Sequence, residues 1–203
     1  MLRMSRQLGL GEPAPGFELP DTEGGTKSLR DFDDAPALLV AFICNHCPFV
    51  LHIIDHFVEF AREYEQRGLQ VIAISSNDPE EFPEDDFEHM KQFARDRKFG
   101  FPYLYDADQA VALAYNAICT PDFFLLDGER KLFYAGQYDA SRPGINRPPV
   151  PGLPPLRTNL SVTGEDMRRA VDALLAGQPA PLPQHPSAGC SIKWSPGRDP
   201  SWA

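Results

Sequence analysis

The sequence is short of basic residues and contains no long apolar run. Its 203 residues include 19 Lys and Arg against 29 Asp and Glu, which gives a formal net charge of −10. A nucleic-acid partner requires a basic surface, so this charge balance argues against one. A helix that crosses a bilayer needs about 18 consecutive apolar residues. No such stretch occurs in the sequence, and we therefore predict neither a nucleic-acid partner nor a membrane partner.

The N-terminal segment also lacks the features of a secretory signal. Residues 1–17 carry two arginines, but no run of about seven apolar residues follows them. We therefore expect a cytoplasmic location. Cysteine is scarce as well, because four cysteines are too few for a disulfide scaffold in a chain of this length. A close cysteine pair in a cytoplasmic protein is more often catalytic or metal-binding than structural.

The apolar patterns that are present predict one α/β domain. Residues 37–43 form a continuous apolar run, typical of a strand buried on both faces, and 69–76 indicates a second buried strand. Between them, apolar residues recur at helical spacing over 49–66. This order indicates a βαβ unit with parallel strands. The other predicted elements are helices over 87–99, 108–117 and 164–177, strands over 122–127 and 131–138, and a hairpin that turns at Gly24-Gly25.

Changes in composition divide the chain. One domain over 1–177 is predicted to contain an N-terminal extension at 1–36 and a proline-rich insertion at 139–160. A proline-rich tail follows at 178–203. The acidic loop 77–88 and the insertion are most simply interpreted as solvated surface.

Cys44 and Cys47 lie two residues apart, where the first buried strand gives way to the helix. A thiolate is the nucleophile in disulfide exchange, and the unpaired amides of a helix start favour negative charge. His46, between the cysteines, can supply a donor or a positive charge that tunes the thiolate. Two intervening residues let both sulfurs meet within one turn. We expect Cys44 to be the exposed attacking thiol and Cys47 the more buried resolving thiol.

The residues "CNHCP" after a buried strand resemble the thioredoxin superfamily. The opening "GEPAPGFELPDTEGGTKSLRDF" resembles that of peroxiredoxin-like and TlpA-like members, and the whole chain is similar to a subgroup with a CNHC motif. The resemblance implies a thioredoxin-like α/β fold, in which helices flank a central mixed sheet and a β-hairpin extends the N-terminus. It also implies that Thr120 and Pro121 form a cis-proline segment that faces the cysteines and binds substrate.

Several positions depart from the family patterns. Ala37 and Ala41 stand where peroxiredoxins carry Pro and Thr, so the oxygen network that activates a peroxide is missing at that motif. Leu38 stands where thioredoxin has a buried Asp. The proton acceptor for the resolving thiol must therefore come from elsewhere, and Asp78 or Glu80 is the candidate.

The other two cysteines have two interpretations each. Cys119, two residues before Pro121, is either a packed small apolar residue or a third thiol near the active face. Cys190 lies in the segment "GCSIKW", whose apolar residues predict that the tail docks on the domain. We hypothesise that Cys190 forms a mixed disulfide with Cys44 or pairs with Cys119.

The pattern as a whole predicts a thiol–disulfide oxidoreductase without cofactors, which exchanges disulfides with client proteins and is restored by a recycling reductase. The alternative is a thiol peroxidase, with Cys44 oxidised to a sulfenic acid on which Cys47 condenses. A third possibility is a module that holds a metal through both cysteines and histidines. Zinc sites usually need a second Cys/His pair, and no second C-x-x-C exists, so no metal is predicted. His52 and His56 are expected on a solvated helix face.

Overall fold

The computed structural model describes residues 2–4, 9–144 and 160–200, so most of the predicted insertion lies outside the described residues. In chain order its elements are β1 (Leu2–Met4), β2 (Glu18–Pro20), β3 (Thr26–Ser28), β4 (Ala37–Phe42), α1 (Pro48–Glu65), β5 (Leu69–Ser75), α2 (Phe87–Asp96), β6 (Tyr103–Tyr105), α3 (Ala110–Ala114), β7 (Cys119–Thr120), β8 (Asp122–Asp127), β9 (Leu132–Ala135), α4 (Glu165–Leu175) and β10 (Ala188–Ser191). Short 3-10 turns cover Leu29–Phe32 and Pro83–Asp85.

A mixed sheet of five strands forms the centre of the molecule, in the order β6-β5-β4-β8-β9. β4 runs parallel to β5 and antiparallel to β8, and all six of its residues are buried. A strand that is buried on both faces consists of a continuous run of apolar residues. For this reason the apolar run in the sequence predicts β4 correctly. The predicted thioredoxin-like fold is confirmed, including the βαβ unit and the mixed sheet.

The two faces of the sheet carry separate apolar cores. Alternate β4 residues point to opposite faces, so Leu39 packs with α1 and α4 while Leu38 packs with α3 and the N-terminal extension. Each large apolar side chain that is fully buried contributes about 1.5–3 kcal/mol. Because the two cores cover both faces of β4, the strand and its carboxyl end are held in place by packing.

The N-terminal hairpin forms as predicted. β2 and β3 pair antiparallel, and the turn between them contains Gly24 and Gly25. Their φ angles are +104° and +74°, a region that glycine enters without steric cost. The dipeptide therefore permits the turn.

Some elements are shorter than the patterns predict. α3 covers five residues instead of the predicted 108–117, because Gln109 and Asn116 have positive φ angles that limit the helix at either end. α2 ends at Asp96 instead of 99, and Lys98 likewise has a positive φ. Periodicity located these helices but could not mark their ends.

A second sheet, which the patterns did not predict, contains part of the tail. Its strand order is β1-β10-β7, and both pairings are antiparallel. Ile192 and Trp194, just beyond β10, are 2 % and 8 % exposed and join the core on the α3 face. The segment "GCSIKW" thus docks on the domain.

Among the helices in the described ranges, none has the length and apolar character needed to cross a membrane.

Candidate active site

The cysteine pair lies at the junction of β4 and α1. Cys44 follows the end of β4 by two residues, and Cys47 is the N-cap of the 18-residue helix α1. Pro48 occupies the first helical position, where its missing N–H removes no hydrogen bond. The amino end of a long helix therefore begins at the second cysteine, and its partial positive charge favours a thiolate there.

Both sulfurs are enclosed, which differs from the expectation that Cys44 is exposed. Cys44 is 1 % exposed and Cys47 is 0 % exposed, and all four cysteines are buried and reduced. The physical reason is that Thr120 covers the pair, while β10 lies alongside Thr120 in the second sheet. The resemblance implied that Thr120 faces the cysteines, but not that β10 pairs with the strand that contains it.

Thr120 contacts both cysteines. Its Oγ1 lies 3.4 Å from the Sγ of Cys44, and its carbonyl oxygen accepts a hydrogen bond of 3.1 Å from the Cys47 thiol. The peptide bond between Thr120 and Pro121 is cis, as the family resemblance implies. The structure therefore brings Thr120 together with the pair.

A buried carboxylate that the sequence pattern does not reveal lies beside the pair. Asp85 is 0 % exposed, although the sequence assigned it to a solvated acidic loop. Its Oδ1 accepts from the N–H of Asn45 at 2.8 Å, and its Oδ2 accepts from the side chain of Asn77 at 2.7 Å. His46 Nδ1 lies 2.6 Å from the same Oδ2. Nothing in the run of acidic residues distinguishes this one from its exposed neighbours.

The ion pair with Asp85 tunes His46. The close contact with the Asp85 carboxylate raises the pKa of His46 against the opposing effect of burial. Of the two carboxylates that the sequence suggested, Asp78 is buried and accepts from the N–H of Glu80 at 2.9 Å, and Glu80 is exposed. The carboxylate that contacts His46 and acts on Cys44 is Asp85.

The contacts distribute charge unequally between the two thiols. Burial raises the pKa of Cys44 well above its usual value, and contact with Cys47 and the charge of Asp85 raise it further. The hydroxyl of Thr120 acts in the opposite direction. Burial also opposes ionisation of Cys47, but hydrogen bonds with Cys190 and Cys44 outweigh it and lower the pKa of Cys47. The surroundings thus act in opposite directions on the two thiols, since they oppose a thiolate on Cys44 and favour one on Cys47.

The other two cysteines differ in their relation to the pair. Cys119 is fully buried, and its thiol lies 3.9 Å from the carbonyl oxygen of Pro121, which favours the interpretation as a packed small residue. Burial raises the pKa of Cys119 well above its usual value. Cys190 lies directly across from Thr120 and contacts Cys47. The structure thus places Cys190 beside the second cysteine of the pair.

Among the described residues, one group of donors could hold a metal. The ligand atoms of Cys44, His46 and Asp85 all lie within 4.8 Å of one another. His52 and His56 take no part in this group, because they contact Ser141 Oγ at 3.1 Å and Tyr138 OH at 2.7 Å. Both are half-buried, not on a solvated face. A thiolate, an imidazole and a carboxylate suit zinc, but they supply three of the usual four ligands.

Two curated proteins resemble parts of this chain. A 1-Cys peroxiredoxin B of Oryza sativa subsp. indica is 29 % identical over 112 residues, which are 55 % of this chain and 50 % of that protein. A thiol-disulfide oxidoreductase ResA of Halalkalibacterium halodurans is 26 % identical over 117 residues, which are 58 % of this chain and 62 % of that protein. The chain thus spans about half the length of the first relative and less than two thirds of the second.

A solved structure matches nearly the whole chain. A hypothetical protein from Sinorhizobium meliloti 1021 is 47 % identical, with a TM-score of 0.86, over 96 % of this chain and 99 % of that one. The AhpC/TSA family matches residues 10–135, which include most of the extension, the βαβ unit, the cysteine pair and the strands β7 to β9. On this match, and on the site that the fold builds, the chain belongs to the AhpC/TSA family of thioredoxin-fold redox proteins.

Proposed function

We propose that the protein is a thiol–disulfide oxidoreductase in which Cys44 and Cys47 exchange disulfides with client proteins. One observation carries the proposal: the two thiols contact each other at the amino end of α1, and Thr120 contacts both. Two adjacent thiols can close a disulfide, and the helix end favours the thiolate that exchange requires. The similarity to a thiol-disulfide oxidoreductase supports the same chemistry.

In the proposed reaction, the Cys44 thiolate attacks a client disulfide. One client sulfur leaves as a thiolate, and a mixed disulfide joins Cys44 to the other client sulfur. Cys47 then attacks Cys44 Sγ, the second client thiolate leaves, and the Cys44–Cys47 disulfide forms. Two electrons pass to the client, whose thiolates take up protons. A recycling reductase returns two electrons to the pair.

The contact between the two sulfurs and the ion pair of His46 with Asp85 both favour a thiolate on Cys44 during this reaction. The hydrogen bond between the sulfurs lets a proton pass from Cys44 to Cys47, which transfers the charge to the attacking atom. We assign the attack to Cys44 because it adjoins His46, whose side chain is 23 % exposed and lies at the surface of the site. His46 offsets the charge of Asp85, which otherwise opposes a thiolate on Cys44.

The proposed partners are client proteins that carry a disulfide and a reductase that returns electrons to the cysteine pair. The cytoplasmic location stays a prediction, because nothing in the fold bears on the compartment. In a reducing compartment the net direction of the reaction is reduction of clients.

Trapping of the mixed disulfide tests the proposal. Cys47→Ser cannot resolve the intermediate, so it should retain client proteins through a bond that a reductant releases. Cys44→Ser is the matched control and should retain none. The reduced wild-type protein should reduce insulin, while both variants lose turnover. Trapping by Cys44→Ser alone would reverse the two roles, and absence of insulin reduction together with absence of trapping would refute the proposal.

One observation favours a thiol peroxidase as the second candidate. The hydroxyl of Thr120 contacts Cys44 Sγ at 3.4 Å and supplies an oxygen near the thiol that Ala41 cannot supply. The similarity to a 1-Cys peroxiredoxin points the same way. Rapid, saturable consumption of peroxide, with a sulfenic acid on Cys44 in Cys47→Ser, would rank this activity first. Insulin reduction without peroxide turnover would support the oxidoreductase.

A further inference from the structure

The tail places an extended peptide against the cysteine pair. β10 pairs antiparallel with β7, so that Cys190 lies opposite Thr120 and Ser191 lies opposite Cys119. The pairing continues beyond the strand, because the N–H of Ile192 donates to the carbonyl of Ile118 at 2.9 Å. The residue whose side chain and carbonyl contact both thiols therefore has a third cysteine directly across from it.

Gly189 permits this close approach. A Cβ atom built at this position would overlap the carbonyl group of Thr120. Any residue with a side chain must therefore push β10 away from β7. The glycine before Cys190 is needed for the contact between the tail and the site.

Residues after Cys190 hold the tail in register. The N–H of Lys193 donates to Asn77 Oδ1 at 2.9 Å, and its carbonyl accepts from the N–H of Asp78 at 2.8 Å. Asn77 also binds Asp85, so the same side chain joins the tail to the charge network of the pair. With Trp194 in the core, Cys190 is fixed from the carboxyl side as well.

The sulfur of Cys190 adjoins one particular member of the pair. Cys190, Cys44 and Cys47 belong to one apolar cluster, and the side chain of Cys190 is hydrogen-bonded to that of Cys47. Cys119 is turned toward the carbonyl oxygen of Pro121. The pairings of Cys190 with Cys44 or with Cys119 that the sequence suggested stay hypotheses, and the contact with Cys47 adds a third.

We propose that Cys190 is a third redox residue, which takes over the disulfide of the pair by bonding to Cys47. The proposal rests on the proposed function, because it starts from the Cys44–Cys47 disulfide. Cys190 loses its proton and attacks Cys47 Sγ. The Cys47–Cys190 bond forms, the Cys44–Cys47 bond breaks, and Cys44 leaves as a thiolate that takes up the proton. Cys190 is oxidised and Cys44 is reduced, with no net change in electrons.

This transfer has a chemical consequence for the site. Cys44 returns to its reduced form while the protein still holds one disulfide, now between α1 and the tail. The disulfide that a reductase must then open is Cys47–Cys190. The tail thus takes over the disulfide from the pair, and it lies against β7 as a bound peptide would.

Disulfide mapping of the full chain tests the proposal. Wild type and single variants are oxidised with glutathione disulfide, quenched in acid and mapped by mass spectrometry. The Cys47–Cys190 linkage should appear in wild type and should be the main linkage in Cys44→Ser, where glutathione on Cys47 is displaced by Cys190. Cys119→Ser, which removes a neighbouring buried thiol, is the matched control and should leave the linkage intact.

Two further variants separate this proposal from the proposed function. Cys190→Ser should lose the linkage but retain Cys44–Cys47 and trapping of clients in a Cys47→Ser background. Gly189→Ala keeps all four thiols and should also lose the linkage, because β10 is displaced. If Cys190 is always recovered as a thiol while Cys44–Cys47 forms, the inference is wrong and the proposed function stands. If Cys44–Cys47 never forms in any of these proteins, the proposed function fails first.

Discussion

At the scale of single residues, one buried carboxylate acts on both His46 and Cys44. Asp85 is fully enclosed and holds a backbone N–H, an amide side chain and His46. A buried charge is stable only when it is paired and hydrogen-bonded. The same carboxylate raises the pKa of both His46 and Cys44. Histidine and thiolate are therefore linked through an acidic group that lies between them.

This link predicts opposite shifts for two substitutions. Asp85→Asn removes the negative charge and should lower the pKa of Cys44. His46→Ala leaves that charge without its partner and should raise the pKa of Cys44. Alkylation of Cys44 as a function of pH, followed by mass spectrometry in a Cys47→Ser background, measures both. Glu84→Gln is the matched control, because this exposed carboxylate lies 4.0 Å from His46 and should shift the curve least. Identical curves for all three variants would remove the network from the mechanism.

Two histidines should make opposite contributions to the pH dependence of stability. Asp85 raises the pKa of His46 above its unfolded value of about 6.5. The stabilisation from His46 is therefore complete below about pH 6.5 and is lost as the pH rises through the folded pKa. Burial lowers the pKa of His52 below its unfolded value of about 6.5. The stabilisation from His52 is therefore complete above about pH 6.5 and is lost as the pH falls through the folded pKa.

Urea unfolding of two variants over roughly pH 5 to 9 measures these contributions. The free energy of unfolding lost in His46→Asn should be largest at the acidic end and should shrink as the pH rises. The loss in His52→Asn should show the reverse trend. A loss in His46→Asn that is independent of pH would show that the ion pair with Asp85 is not formed.

At the scale of elements, the sequence predicts long helices and strands correctly and misses the short strands. The predicted bounds of β4, α1 and β5 agree with the structure to one residue, because two are continuous apolar runs and α1 shows a helical apolar period. β7 has two residues and β10 has four, which is too short for a period to emerge. The candidate site likewise has one part that the sequence predicts and one part that it does not. The C-x-x-C pair is visible in the sequence, whereas the contact with Asp85 arises only when the chain folds.

The long helix α1 should carry the largest cost of truncation. Phe57 is 1 % exposed, and its ring lies 5.5 to 5.7 Å from the rings of Phe101, Phe123 and Tyr138. Phe57→Ala should reduce the free energy of unfolding by about 3–5 kcal/mol. Leu51→Ala, on the exposed face at 40 %, should change it by less than about 0.5 kcal/mol. Equal losses in urea unfolding would contradict the assignment of the buried face.

At the scale of the whole molecule, the two ends of the sequence close the site. β10 lies between β1, from the first residues, and β7, beside the cysteines. Both thiols are consequently buried, although exchange with a protein requires access. Local opening of a segment costs less than global unfolding when the segment has few anchors. Ile192 and Trp194 are the apolar anchors of this tail, so movement of the tail is the natural route to the thiols.

This route predicts a selective effect of Trp194→Ala. Loss of the anchor should lower the cost of opening by about 3 kcal/mol, so Cys44 and Cys47 in the folded protein should react with a thiol reagent roughly a hundredfold faster. Phe57→Ala is the decisive control, because it lowers global stability to a similar extent without loosening the tail. If the thiols react only after global unfolding, both variants accelerate alike. If the tail opens by itself, Trp194→Ala accelerates the reaction and Phe57→Ala leaves it near the wild-type rate, since the barrier that matters is the release of β10.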